Sequence, residues 1–258
     1  MRRVLVIGIG AGDPDHLTLQ AIRALNEADV LFVIDKSGQR QDLVRLRKEI
    51  CDRHIEPGTY RMVEVGDPER DRTTAAYRDA VEAWRSERAD VWEELIRDEL
   101  SEGDCGAFLV WGDPALYDST LSVLDQILVR GNVEFDHEVI PGISSVQALA
   151  AQHKVPLNRV GRPVQITTGR RLAEGFPADA DDVVVMLDAD CSFRHVADGD
   201  TEIFWGAYVG TEDEILVAGK LRDVADQIQR LRAEARDRKG WIMDTYLLRR
   251  PARSRAAE

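Results

Sequence analysis

The sequence lacks several features that would assign it to a common class of protein. It has three scattered cysteines and no C-x-x-C pair, which argues against a disulfide framework and a zinc site and suits a reduced cytoplasm. Its five histidines show no metal-ligand spacing, so we expect no bound metal. Because no stretch approaches the roughly 18 apolar residues of a membrane span, we predict a soluble, cytoplasmic protein that does not contact a membrane.

Basic residues are fewer than acidic residues. The chain carries 34 Lys and Arg against 47 Asp and Glu, which gives a formal net charge of −13 at pH 7. General nucleic-acid binding needs a surface that neutralises phosphates, so we expect no nucleic-acid partner. The 258 residues are 44% hydrophobic, which is enough for a substantial core.

Apolar runs alternate with helical patterns along the chain. Residues 4–8 and 30–34 are typical of strands buried on both faces, and residues 17–28 between them have helical spacing, which predicts a βαβ unit and a parallel sheet. We predict further strands at residues 60–65, 107–111, 135–140, 164–168, 183–187, 203–209 and 241–248. The chain is therefore predicted to be α/β with two sheets. Its predicted domains are residues 1–116 and 117–251, followed by a disordered tail at 252–258.

The first predicted strand runs into the glycine-rich segment G-I-G-A-G-D-P at residues 8–14. The segment does not satisfy G-x-G-x-x-G, because its third glycine comes one residue early and Asp-Pro stands where a dinucleotide fold would begin its helix. No Lys-Ser/Thr follows, so it is not a P-loop. By itself the segment fits a plain strand-to-helix turn as well as a ligand-binding turn.

Two later turns follow predicted strands in the same way. They are W-G-D-P-A-L-Y at residues 111–117 and P-G-I-S-S at residues 141–145. Turns at the carboxyl ends of parallel strands share one sheet edge, where α/β folds bind ligands. Ser144 considered alone is more typical of a helix N-cap.

Together and in this order, the three motifs resemble those of the tetrapyrrole methylase family. The resemblance covers nearly the whole chain and implies two α/β domains of the tetrapyrrole methylase type, with the active site in the cleft between them. It also implies S-adenosyl-L-methionine as methyl donor and a homodimer, for which the helix predicted at residues 72–100, with Trp84 and Trp92 partly exposed, is the candidate surface. The donor-binding residues that it implies are Pro14, Trp111, Gly112, Asp113, Tyr117, Ser144, Ser145, Met186, Ala207 and Tyr208. The chain departs from most relatives at Ala11, where proline is usual, and at Trp111, where glycine is common.

Three further stretches narrow the resemblance to one branch of that family. T-T-G-R-R-L at residues 167–172, W-G-A-Y-V-G-T at 205–211 and G-W-I-M-D at 240–244 are similar to the branch that methylates C-1 of a precorrin in cobalamin biosynthesis and releases acetate. A precorrin carries many carboxylates, so we expect Lys36, Arg170 and Arg171 to bind it.

Release of acetate requires water to attack an acetyl group, which a general base would assist. Asp13 and Asp113 are the candidate catalytic bases, since both lie in the predicted ligand-binding turns. Each is equally explained as a turn residue whose carboxylate accepts backbone N–H groups.

Other functions remain open at this stage. The substrate could be a precorrin methylated at another position, or a non-corrin molecule handled by the same fold. A nucleotide-binding oxidoreductase is disfavoured by the glycine spacing, and a non-enzymatic binding module by three sharp turns on one sheet edge.

Overall fold

The computed structural model describes residues 1–35, 41–68, 77–196 and 198–251. The chain divides into two compact units, Met1–Ser144 and Ser145–Glu258. The residues predicted as a tail, 252–258, lie outside the described ranges.

Five strands of the first unit, counted over its described residues, form one parallel sheet. In chain order they are β1 (Arg2–Gly8), β2 (Val30–Asp35), β3 (Arg61–Gly66), β4 (Cys105–Val110) and β5 (Phe135–Ile140). Their order across the sheet is β3-β2-β4-β1-β5, and every pairing is parallel. Because β5 pairs with β1, the first unit ends at Ser144 and not at residue 116, where the sequence predicted the domain boundary.

Helices cover both faces of this sheet. They are α1 (Leu19–Glu27), α2 (Gln41–His54), α3 (Tyr77–Glu99) and α4 (Thr120–Arg130). Alternate residues of β1 enter opposite cores: Val4 and Val6 pack with α3 and α4, whereas Leu5 and Ile7 pack with α1 and α2. A side chain of this size stabilises the fold by about 1.5–3 kcal/mol when buried, which explains why β1 is apolar without interruption.

The long helix α3 is anchored in the core through its tryptophans. Trp92 is 1% exposed and stacks on Phe108 with ring centroids 4.3 Å apart, so the expectation that it is partly exposed was wrong. Arg88 lies 4.8 Å from the Trp84 ring and 4.7 Å from the Trp92 ring, and its Nε is 2.7 Å from Asp67 Oδ1. Burial lowers the pKa of Arg88, which the Asp67 carboxylate opposes.

The second unit contains a mixed sheet. Over its described residues the strands are β6 (Val164–Thr168), β7 (Asp182–Met186), β8 (Glu202–Ala207), β9 (Ile215–Lys220) and β10 (Asp244–Arg249), and the helices are α5 (Ser145–His153), α6 (Gly169–Ala173), α7 (Phe193–Val196) and α8 (Leu221–Lys239). The strand order is β6-β7-β10-β8-β9; β6 and β7 are parallel, and the other pairings are antiparallel.

Several boundaries in this unit differ from the predicted ones. The edge strand β9 was not predicted: its apolar run, residues 215–218, is short, and most of its residues are half-buried or exposed in the structure. Helix α8 is longer than the predicted helix at residues 224–235 and ends at Gly240, whose φ of 75° closes the last turn.

Candidate active site

Three glycine turns of the first unit meet at the carboxyl ends of its strands. Gly8 ends β1, Gly112 follows β4, and Gly142 follows β5. A Cβ atom on Gly142 would lie 2.1 Å from the carbonyl oxygen of Gly112, and one on Gly8 would lie 2.6 Å from the amide nitrogen of Gly142. The three backbones are therefore in direct contact, which only glycine permits at these positions.

The first two turns are also hydrogen-bonded to each other. The amide of Gly112 donates to the carbonyl of Gly10 at 2.8 Å, and the amide of Gly10 donates back at 3.4 Å. Both residues have positive φ, 81° at Gly10 and 72° at Gly112. The turns that the sequence placed at one sheet edge are thus brought together there.

Asp113 joins the second turn to the third. Its Oδ1 accepts the amide of Ala115 at 2.8 Å, and its Oδ2 accepts the amide of Gly142 at 2.9 Å. Both carboxylate oxygens accept backbone N–H groups, so the structure gives Asp113 a clear role in holding the turns together.

Asp13 begins a short 3-10 helix, Pro14–His16. Its Oδ1 accepts the amide of Asp15 at 2.8 Å, while its Oδ2 lies 4.0 Å from His16 Nε2. The helix packs against the first turn, since a Cβ on Gly10 would meet the Cβ of His16 at 2.8 Å. Asp13 and Pro14 are therefore close to the turn that contacts Gly112.

Trp111 is half-buried and packs against the core between the sheet and α1 and α2. Its indole Nε1 is buried and has no hydrogen-bond partner among the described residues. An indole N–H is a donor that usually finds a partner when buried, so this atom can serve a bound ligand.

Tyr117 and Ser144 lie beside these turns. Tyr117 has a φ of 52°, its side chain is 47% exposed, and partial burial raises its pKa. Ser144 is buried, and its Cα lies 3.6 Å from the position of a Cβ on Gly112. Ser145, also predicted to bind the donor, begins α5 and belongs to the second unit.

Of the remaining predicted donor-binding residues, Met186 and Ala207 end two strands of the second unit that flank β10, and Tyr208 directly follows β8. Met186 ends β7 and pairs with Thr245, and Ala207 ends β8 and pairs with Asp244. The hydroxyl of Tyr208 donates to the carbonyl of Trp241 at 2.6 Å, so this side chain is in the core of the unit. Its predicted contact with the donor stays a prediction.

The predicted substrate-binding cations are only partly described. Arg170 and Arg171 lie on the short helix α6 and are exposed, and Arg171 Nη1 is 2.8 Å from Glu174 Oε2. Lys36 lies outside the described residues. Arg170 and Arg171 are thus accessible to an anionic partner.

A buried polar network in the second unit was missed by sequence reasoning. Asp188, two residues after β7, accepts a hydrogen bond from the Tyr246 hydroxyl at 2.6 Å, and its backbone carbonyl accepts Arg232 Nη2 at 2.7 Å. Arg232 Nε also lies 3.0 Å from Asp244 Oδ2. One feature of the sequence could have indicated this network: Asp188 is a carboxylate placed directly after the apolar run at residues 183–187.

Among the described residues there is neither a membrane-spanning helix nor a cluster of metal-ligating side chains. None of their helices is long and apolar enough to cross a membrane. They contain no group of three or more His, Cys, Asp or Glu side chains that could hold a metal ion. The prediction that no metal is bound stays a prediction.

The fold and the three turns are those of a known class of protein. The family model of the tetrapyrrole (corrin/porphyrin) methylases matches residues 3–225, so the chain belongs to this family. The resemblance predicted from the three motifs is confirmed, as is the α/β fold of this type.

Among its relatives, the chain is 50% identical over 252 residues to a precorrin-6A synthase (deacetylating) of a Sinorhizobium species, covering 98% of this chain and 97% of the relative. A cobalamin synthesis related protein (CobF) from Corynebacterium diphtheriae is 41% identical, with a TM-score of 0.84 over 96% of this chain and 98% of that one. A uroporphyrin-III C-methyl transferase from Thermus thermophilus, solved with S-adenyl homocysteine, is 20% identical with a TM-score of 0.58, covers 95% of this chain and 91% of that one, and shows the fold alone.

Proposed function

We propose that this protein is an S-adenosylmethionine-dependent methyltransferase of cobalamin biosynthesis. It methylates precorrin-5 at C-1 and releases acetate, giving precorrin-6A. The observation that carries the proposal is the 50% identity, over nearly the full length of both chains, to a relative named precorrin-6A synthase (deacetylating). Identity of this extent spans all three turn motifs and the stretches that marked this branch of the family.

The residues at the turns of the first unit fit a methyl donor. Gly112 presents backbone without a side chain, and Trp111 holds a buried N–H donor that has no partner among the described residues. When bound, S-adenosylmethionine supplies an electrophilic methyl group on a sulfonium. The residues proposed to hold it are those the resemblance implies: Pro14, Trp111, Gly112, Asp113, Tyr117, Ser144, Ser145, Met186, Ala207 and Tyr208. Their task is to align the donor and exclude water, which lowers the entropic part of the barrier.

Substrate recognition has to overcome the overall negative charge of the protein. The precorrin carries acetate and propionate carboxylates, and the net charge of −13 repels them. Local cations are therefore required, and we assign this role to Arg170, Arg171 and Lys36. The guanidinium groups can bind carboxylates through two parallel hydrogen bonds.

Acetate release needs a base that takes a proton from water as the water oxygen attacks the acetyl carbonyl carbon; the bond from that carbon to the macrocycle then breaks, and its electron pair stays on the macrocycle. Of the two candidates, Asp113 uses both oxygens to hold backbone amides, whereas Asp13 Oδ2 faces His16 at 4.0 Å. We therefore favour Asp13 as the base and Asp113 as the residue that keeps the turns in register.

The proposal is tested first by binding and then by turnover. Calorimetry is expected to show tight binding of S-adenosylhomocysteine and none of NADH; the reverse result would point to an oxidoreductase. Purified protein with precorrin-5 and S-adenosylmethionine is expected to form a methylated product and equimolar acetate. Methylation without acetate would refute the deacetylating activity and favour another precorrin position. No reaction with any precorrin would favour a non-corrin substrate.

We also propose that the protein acts as a cytoplasmic homodimer. Support comes from the resemblance to the family and from the reduced state expected of its three buried thiols, which are unpaired in the structure. Light scattering coupled to size-exclusion chromatography is expected to give twice the mass of the chain, and a monomeric mass would contradict the proposal.

A further inference from the structure

A buried carboxylate, Asp188, lies two residues after Met186 in the second unit. It is 4% exposed, and its oxygens accept four hydrogen bonds from described residues. Oδ1 accepts the amide of Asp190 at 3.0 Å and the hydroxyl of Ser192 at 2.9 Å. Oδ2 accepts the amide of Ser192 at 2.7 Å and the hydroxyl of Tyr246 at 2.6 Å. The carboxylate thus connects its own turn to the neighbouring strand β10.

The backbone of this turn is strained. Leu187 and Cys191, on either side of the hydrogen-bonded segment, have φ values of 54° and 55°, which side-chain-bearing residues rarely adopt. Such conformations persist only where the surroundings over-determine them, and they concentrate at ligand sites. The apolar side chain of Leu187, just past the carboxyl end of β7, is 66% exposed to solvent.

Asp188 is also confined by its other neighbours. A Cβ on Gly169 would lie 2.4 Å from both Cγ and Oδ1 of Asp188, so the helix that begins at Gly169 packs directly on the carboxylate. The backbone carbonyl of Asp188 accepts Arg232 Nη2 at 2.7 Å. The side chain and the backbone of Asp188 are therefore both held by contacts, directly beside Leu187 in the chain.

Asparagine cannot replace this carboxylate. Each oxygen accepts a backbone amide, from Asp190 or from Ser192, so either orientation of an asparagine places its NH₂ against an N–H donor. Tyr246 keeps its proton, because burial and the adjacent Asp188 carboxylate both raise its pKa. The Tyr246 hydroxyl is therefore a permanent donor to Asp188 across the physiological pH range.

We propose that Asp188 is a positioning residue for the methyl donor: its carboxylate holds Met186 and Leu187 in the conformation that binds S-adenosylmethionine. This inference rests on the proposed function, because Met186 is a donor-binding residue only within it. Tyr246 acts through Asp188, because its hydroxyl donates a hydrogen bond to the Asp188 carboxylate.

The decisive experiment compares two variants on adjacent residues of β10. Tyr246→Phe removes the hydroxyl that donates to Asp188, whereas Thr245→Val removes a buried hydroxyl that donates to the carbonyl of Val185 at 3.0 Å. Both lose one buried hydrogen bond, so both are expected to lower the melting temperature. Only Tyr246→Phe is expected to weaken S-adenosylhomocysteine binding, by about tenfold, which corresponds to about 1.4 kcal/mol of binding free energy.

Kinetics and hydrogen exchange supply readouts that a merely structural role would not change. For Tyr246→Phe we expect the KM for S-adenosylmethionine to rise while kcat falls by less than about threefold, because the substitution mainly weakens binding of the methyl donor. The amides of Asp190 and Ser192 are expected to exchange faster in this variant than in Thr245→Val. Asp188→Asn, where it folds, is expected to show the larger binding defect.

The outcomes are distinct. Wild-type affinity in Tyr246→Phe, or equal losses of affinity in both variants, would overturn the positioning role of Asp188. If the wild-type protein failed to bind S-adenosylhomocysteine, the proposed function would itself be overturned, and this inference with it. A selective loss in Tyr246→Phe, with intact binding in the wild type and in Thr245→Val, would establish it.

Discussion

Replacing Gly142 by alanine tests whether the contact of the three turns holds the first unit together. The added Cβ would lie 2.1 Å from the carbonyl oxygen of Gly112 and 2.8 Å from backbone atoms of Gly8. Real Cβ atoms essentially never approach another atom closer than 3.0 Å, so the backbone would have to move by about 0.9 Å. All the obstructing atoms are backbone, and no side chain can rotate away.

The size of the effect follows from two losses. Overpacking a close-packed site costs about 1–3 kcal/mol, and displacing Gly142 also strains the hydrogen bond from its amide to Asp113, a bond of about 1.5–3 kcal/mol. We therefore expect Gly142→Ala to lower the free energy of unfolding by about 3 kcal/mol or more.

Gly131→Ala is the matched control. Gly131 ends α4 with a φ of 69°, and a Cβ there would meet nothing within 4 Å. This variant carries only the left-handed backbone cost of about 1–2 kcal/mol. Urea unfolding followed by far-ultraviolet circular dichroism measures both variants. If Gly142→Ala cost no more than Gly131→Ala, the reasoning about backbone contact between the turns would be refuted.

The further predictions concern two carboxylates, Asp113 and Asp13, and one buried thiol, Cys51. Asp113→Asn is expected to weaken S-adenosylhomocysteine binding and turnover together, because in either orientation the side-chain NH₂ faces one of the two backbone N–H groups that the carboxylate accepts. Asp13→Asn is expected to slow acetate release by about a hundredfold, the low end for a lost general base, with binding unchanged. Calorimetry and acetate assays measure both, and the opposite pattern would exchange the two assigned roles. Burial raises the pKa of Cys51 to about 11, so Ellman's reagent at pH 8 is expected to label this thiol only after unfolding. The free energy of unfolding is expected to fall as the pH rises from 9 towards 11, because in that range the thiol ionises readily only in the unfolded chain. Rapid labelling of Cys51 in the native protein would contradict its burial.

The fold class could be predicted from the sequence because its strongest signals are local. The apolar run of β1 is buried on both faces, as the run itself predicted. The edge strand β9 and the pairing of β5 with β1 could not be predicted in the same way. The apolar run of β9 covers only residues 215–218 of a strand whose residues are mostly half-buried or exposed, and strand order depends on contacts between distant residues.

The candidate site was likewise predicted from the sequence only in part. The motifs around Gly8, Gly112 and Gly142 were visible in the sequence, and so was the sheet edge they share. The sequence treated Asp13 and Asp113 alike, and only the structure separates them by what each carboxylate accepts. Tyr208 was assigned from its motif alone, and the structure places its hydroxyl in the core.

By itself, the sequence determined the α/β class, the family and the three turns, because each depends on residue types at short, fixed spacing. Only the tertiary structure decided which backbones touch, where the first unit ends and how Asp188 is held. The partners of Asp188 lie at Gly169, Arg232 and Tyr246, far apart along the chain. No local pattern encodes a hydrogen bond between strands and helices that meet only after the sheet has formed.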